Sequence, residues 1–126
     1  MAALVFDAGA LIAVERGDRA VGALLAVAAD EGIEAVTSSA CVAQAWRDPT
    51  RQVRLGRALA GFLEHPLGPA DARRCGVRLA RAKTADIIDA AVALLASDAD
   101  TILTSDPRDI QRLLDAGGTG TRVRAV

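Results

Sequence analysis

Two short apolar runs each lead into an aspartate that opens a helix. Leu4-Val5-Phe6 ends at Asp7 and passes into Ala8-Gly9-Ala10 and the apolar stretch Leu11–Val14. Thr101-Ile102-Leu103-Thr104 ends at Ser105-Asp106 and passes into Pro107. Short apolar or β-branched runs bounded by turn formers read as buried strands. Further strands are expected over Glu34–Thr37, Glu64–Leu67 and Arg122–Val126. Helices are expected over Val21–Ala29, with Asp18 as cap and Gly32 as stop, and from Ser38 or Ser39 through Arg47. Others are expected from about Thr50 to Phe62, over Pro69–Ala82, over Asp86–Ser97 with Thr84 as cap, and from Asp106 to Leu114. Strands alternating with helices predict an α/β domain whose mainly parallel sheet is covered on both faces. Ligands of such sheets bind beyond the carboxyl ends of the strands. If the two aspartate-ended strands are parallel neighbours, Asp7 and Asp106 face one crevice.

The 126 residues suit one domain, 1–126. Apolar residues make up 52%, yet the longest apolar runs, such as Ala90–Ala96, fall far short of a span of about 20 residues. The first residues carry no basic segment and meet a carboxylate at Asp7, so a cytoplasmic protein is expected, with no membrane partner. The surplus apolar content suggests a homo-oligomer interface. A net charge of −1 gives no global nucleic-acid signature. The arginines cluster nonetheless, as Arg47, Arg51, Arg54 and Arg57, then Arg73, Arg74, Arg78 and Arg81. Such clusters suit phosphates or are simply solvated helix faces. With 2% aromatic residues and no tyrosine, a stacking platform for single-stranded bases is not expected. Cys41 and Cys75 match no zinc spacing and read as small buried residues, and the only histidine, His65, precedes Pro66 in a strand-like stretch ill suited to a general base.

The carboxylates carry the remaining chemistry. Asp86 and Asp89 stand three apart on one expected helix and share a face. Asp89 has apolar neighbours on both sides, so its charge must be exposed, paired or metal-bound. Plainer roles exist for the others: Asp86 in a first turn, Asp106 as a helix cap, Asp7 in a turn. Converging carboxylates without a cysteine or histidine cluster suit a hard cation, Mg²⁺ or Mn²⁺, which keeps waters able to attack a phosphodiester. Spacing alone leaves both the metal site and the set of caps open.

Three segments together resemble the PIN-domain family, and by length its VapC-like toxins of type II toxin–antitoxin systems. They are Asp7-Ala-Gly-Ala-Leu-Ile-Ala, Asp89-Ala-Ala-Val-Ala-Leu-Leu-Ala and Thr104-Ser-Asp106-Pro-Arg-Asp109, in that order across nearly the whole chain. Each alone is weak; the ordered set is more specific. The resemblance implies a PIN-like three-layer α/β/α sandwich with a central, mostly parallel five-stranded sheet. It also implies a Mg²⁺- or Mn²⁺-dependent endoribonuclease that hydrolyses RNA phosphodiester bonds through a metal-activated water. The RNA would be tRNA or ribosomal RNA, with a homodimer and a cognate antitoxin protein as partners. Asp7, Asp89 and Asp106 then become metal ligands and catalytic acids, with Asp86 a further catalytic acid. Thr104, Ser105 and Asp109 would orient them. Arg47, Arg51 and Arg54 would contact RNA or antitoxin.

One slot departs from the family. Where it carries a glutamate on the helix after the second strand, this chain has Gln44. Glutamine offers a carbonyl oxygen but no charge. Asp86, or Glu15 at the end of the first helix, would have to supply the missing acid. The alternative is a PIN fold that binds RNA or a partner without catalysis. Haloacid-dehalogenase-like phosphatases also place an aspartate at a strand end, but require a second one two residues on, where this chain has Gly9; a receiver domain lacks its early acidic pair and late lysine here.

Overall fold

The computed structural model describes residues 2–126. Five strands form one sheet: β1 (Leu4–Phe6), β2 (Ala35–Ser38), β3 (Leu63–His65), β4 (Thr101–Thr104) and β5 (Arg122–Ala125). Their order is β3-β2-β1-β4-β5, and every pairing is parallel. The sheet is therefore wholly parallel, where a mostly parallel one was expected. From β1 the chain builds outward through β2 and β3, then returns to the other side of β1 for β4 and β5. The reversal lies between β1 and β4, the place where α/β sheets open a ligand crevice. Phe6 pairs with Leu103 in register, which brings Asp7 beside Thr104.

Seven helices connect the strands: α1 (Ala8–Glu15), α2 (Arg19–Glu31), α3 (Ser39–Ala45), α4 (Val53–Leu59), α5 (Pro69–Ala82), α6 (Ile87–Leu95) and α7 (Pro107–Ala116). α1 packs against α2, α3 and α4, whereas α5, α6 and α7 pack on one another. Successive strand residues point to opposite faces, and both Val5 and Phe6, like both Ile102 and Leu103, are buried. Helices thus cover both faces, giving the α/β/α layering. α1 is apolar all round until Glu15, as a helix buried among others must be. α7 shows the opposite design, burying Ile110, Leu113 and Leu114 and exposing Arg108, Asp109 and Arg112. Phe6 meets Phe62 edge-on at 4.8 Å between ring centroids. The edge strand β5 exposes Arg122 and Arg124, charges that discourage pairing with another chain. Among the described residues no helix is long and apolar enough to cross a membrane.

Two local expectations need correction. α3 stops at Ala45 and α4 starts only at Val53. Gln52 holds the intervening turn: its Oε1 accepts from the amides of Arg47 (2.7 Å) and Asp48 (3.0 Å), and its Nε2 donates to Ala45 O (2.9 Å). Asp86, not Thr84, caps α6, accepting from Asp89 N at 3.0 Å. Of the two caps expected for α3, Ser38 is the one used, accepting from Ala40 N. Both cysteines are free and buried, as expected.

Asp100, which no sequence pattern singles out, fastens the start of the sheet. Its Oδ1 accepts from Ala3 N (2.8 Å), and its Oδ2 from Ser97 N (2.9 Å) and Ser97 Oγ (3.0 Å). Burial pushes its carboxyl up, but the bonds from Ser97 and Ala3 outweigh that and hold it below the usual range. Asp100→Ala leaves these donors unpaired and should cost about 2–3 kcal/mol in denaturant unfolding.

Candidate functional site

A cleft of about 290 Å³ opens at the switch point between β1 and β4. Asp7, Gln44, Asp86, Asp89 and Asp106 line it, with Gly9, Ser105 and the apolar Ile12 and Ile88 as walls. No arginine or lysine lies on this lining. Four aspartates and the variant Gln44 are thus brought together from four places in the chain.

Asp7 is buried and locked. Its Oδ1 accepts from Ala10 N (2.7 Å), capping α1, and its Oδ2 accepts from Ser105 N (3.1 Å). A turn was its expected alternative role; it is a helix cap as well as a cleft residue. The close approach of the Ser105 loop requires Gly9, because a Cβ there would collide with the Ser105 side chain. Asp106 is placed differently. Thr104, fully buried, accepts from Asp106 N through its Oγ1 at 2.8 Å and fixes the turn. Asp106 occupies the cap position of α7, but its carboxylate makes no capping bond. It is exposed and free to meet a ligand.

Asp89 is the unusual member. It is only 5% exposed, and its Oδ2 has no hydrogen-bond partner. Burial, then the charges of Asp86, Asp106, Asp7 and Asp109, push its carboxyl up to about 7. Asp7 is raised too, chiefly by burial and also by Asp106, although bonds from Thr104, Ala10 and Ser105 pull it the other way. Asp100 makes the contrast clear: a buried aspartate with a structural task has every bond it needs, whereas Asp89 sits among like charges with an oxygen left over. Such an arrangement calls for a cation or a proton.

Among the described residues no group of three or more histidine, cysteine, aspartate or glutamate side chains is gathered so as to hold a metal ion. An open set of carboxylates is nonetheless the donor chemistry of Mg²⁺, which takes one or two carboxylates and keeps several waters. The orphaned Asp89 oxygen and the unused Asp106 carboxylate fit that group.

Other expected residues lie elsewhere. Glu15 is not in the cleft; its Oε2 accepts from Leu55 N at 2.8 Å and so serves the first turn of α4. Arg47 donates to Ala43 O (2.9 Å) and Trp46 O (2.8 Å) at the end of α3. Arg51 pairs with Asp48 at 3.7 Å, and Arg54 folds over the Gly17 turn. None of the three lines the cleft. Asp109, exposed in the first turn of α7, is near enough for its charge to be felt at Asp89. Arg16 was missed. It borders an adjoining hollow of about 500 Å³ that shares Gly9, Ile12 and Ser105 with the cleft. Its position four residues after Ile12 was the available signal. A larger hollow than the cleft, about 400 Å³ between α2 and α4, is mainly apolar with Glu34 its only ionisable residue, and offers no comparable chemistry.

No model of a known protein family matches the chain, and no curated protein matches it. Among solved structures it resembles a chain of VapBC2 from Rickettsia felis, crystallised bound to a DNA fragment from their promoter. The TM-score is 0.64 at 11% sequence identity, over 98% of each chain. The likeness spans the whole molecule, and the fold is PIN-like, as the ordered aspartate segments implied.

Proposed function

We propose that this chain is a divalent-cation-dependent endoribonuclease of the VapC-like PIN type. Asp89 carries the reading: a buried carboxylate with an unpartnered oxygen, raised to about 7 first by burial and then by three other carboxylates of the same cleft and Asp109 outside it. The full-length likeness to a chain of VapBC2 adds support. When bound, Mg²⁺ or Mn²⁺ supplies a polarised water and offsets charge building on the phosphoryl oxygens. The chain's own residues arrange that chemistry. Asp7, fixed by two backbone amides, presents a carboxylate that cannot swing. Asp89 and Asp106 add the charge that selects a hard cation, with Asp86 beside Asp89. Thr104 fixes the Asp106 backbone, and Ser105 holds Asp7. Ile12 and Ile88 limit water at the rim. A cytoplasmic homodimer restrained by an antitoxin protein completes the proposal.

Gln44 favours a second reading, a PIN fold that binds RNA without cutting it. It stands on the cleft lining where the family carries an acid. The deciding experiment is incubation of total RNA with the purified chain and Mg²⁺ or Mn²⁺, with EDTA and Asp106→Asn as controls. Discrete products absent from both controls are expected. RNA left intact by a folded, partner-free preparation would reject the nuclease in favour of the binding module. A related expectation concerns Gln44→Glu: a fifth carboxylate on the cleft should tighten Mg²⁺ binding about tenfold, or about 1.4 kcal/mol, by calorimetry. Unchanged affinity would exclude position 44 from the cation's surroundings.

A further inference from the structure

The cleft poses a problem for any polyanionic substrate, since four aspartates and no cation line it. Compensating positive charge has to come from nearby. On α5, Arg73, Val77 and Arg81 follow one another at spacings of four, with Arg74 and Arg78 alongside, so the four guanidinium groups share one face. Together with Leu94 of α6 they line a groove of about 310 Å³ that holds no carboxylate. Among the described residues only Arg74 has an acidic partner, Asp71 at 3.3 Å, and that pair is exposed. Arg73 donates to Pro69 O within its own helix. Arg78 donates to Leu113 O at the end of α7. No carboxylate neutralises Arg73, Arg78 or Arg81, so the groove is electropositive in a chain of net charge −1.

The groove and the cleft share the helix α6, Leu94 lining the one and Asp89 the other. α5 packs on α6, and Arg81 precedes the cleft residue Asp86 by five residues, a separation of at most about 18 Å even if fully extended. Along the helix, Arg73 and Arg81 are about 12 Å apart, long enough for a strand rather than a single ion. Planar guanidinium forks match phosphate oxygens, and a line of them follows a backbone without reading bases. With so few aromatic residues in the chain, backbone charge is the handle available.

We propose that the α5 groove of Arg73, Arg74, Arg78 and Arg81 is the track that holds the phosphodiester backbone of RNA as it runs to the acidic cleft. The proposal rests on the nuclease reading for what happens at the cleft, but its test does not. Arg73→Ala with Arg81→Ala removes two exposed cations and leaves the Arg78 contact to α7 in place. Binding of a labelled, mixed-sequence single-stranded RNA is measured across a salt series, in an Asp106→Asn background, with and without the two substitutions. The double substitution should weaken binding about tenfold near physiological salt and flatten the log–log salt slope by about 1.4. Lysines at both positions should restore most of the binding. Thermal unfolding verifies that the fold persists.

Equal affinity and equal slope in the two proteins would overturn the track, as would failure of both to bind RNA. Unchanged RNA binding with loss of binding to polyglutamate would overturn it too, assigning the groove to an acidic protein segment. Groove-dependent RNA binding by a chain that never cleaves RNA would support the track while rejecting the nuclease.

Discussion

Asp89→Asn is expected to make the metal-free protein more stable at pH 7.5 while abolishing RNA cleavage. Most substitutions at buried positions destabilise, so a gain would be diagnostic. The gain follows from the raised carboxyl of Asp89, about 7 against an ordinary 3.8. The folded state binds this proton more tightly than the unfolded chain does. Asp89 therefore contributes its full stability only below about pH 4, and that contribution is lost as pH rises toward 7. The slope is at most about 1.4 kcal/mol per pH unit, and a gain of about 2 kcal/mol for asparagine at pH 7.5 is a moderate expectation. At pH 4 the parent carboxyl is already protonated, and the gain should vanish. Asp7, also raised, acts in the same direction. Asp100, held low, acts in the opposite direction but only below its ordinary range, outside this window. Saturating Mg²⁺ should stabilise the parent increasingly as pH rises, because the cation competes with the proton, and should do little for Asp89→Asn. Denaturant unfolding at pH 7.5 and pH 4, with and without Mg²⁺, checks all of this. Equal stability of parent and variant at pH 7.5 would mean that Asp89 already has a neutralising partner.

The layout of the site was legible where it depends on local pattern. Strand ends at Asp7 and Asp106 are visible because a short apolar run stops abruptly at a charge. Asp86 and Asp89 are visible as a helical pair in an apolar setting. The sheet order was not legible from pattern, since nothing local says that β4 returns to lie beside β1. The distant captures were hidden for the same reason. Glu15 reads as the last residue of an apolar helix, and only the fold shows that it is taken by Leu55 N, 40 residues away. Asp100 reads as one more loop acid after Ser97, yet it joins the start of β1 to the start of β4. The gap between α3 and α4 turns on one side chain, Gln52, whose three bonds outweigh a helix-like pattern on either side. Gln44 was legible as a departure, and the structure adds its position on the lining.

The same distinction between bonded and unbonded carboxylates separates Asp7 from Asp106. Reading the residues alone, asparagine at either position should abolish cleavage and leave the fold intact. The structure divides the two cases. Asp106 makes no capping bond and is exposed, so Asp106→Asn should leave unfolding within about 0.5 kcal/mol of the parent, as is usual for surface changes, and remove cleavage. Asp7 uses both oxygens as acceptors, from Ala10 N and Ser105 N. Asparagine keeps one acceptor and turns a donor toward the other amide, so one N–H loses its partner at a cost of about 1–3 kcal/mol. Relief of the buried charge offsets part of that cost at neutral pH, where Asp7 is penalised by burial. At pH 4, where more of the parent Asp7 is protonated, that relief shrinks and the lost bond should show more fully. Asp7→Asn is thus expected to be less stable than Asp106→Asn, with the gap widening as pH falls, while both fail to cleave RNA. Retained cleavage by Asp106→Asn at the parental rate would remove the free carboxylate from the chemistry. Equal stability of the two variants at pH 4 would mean that the Ser105 amide finds another acceptor when Asp7 is replaced.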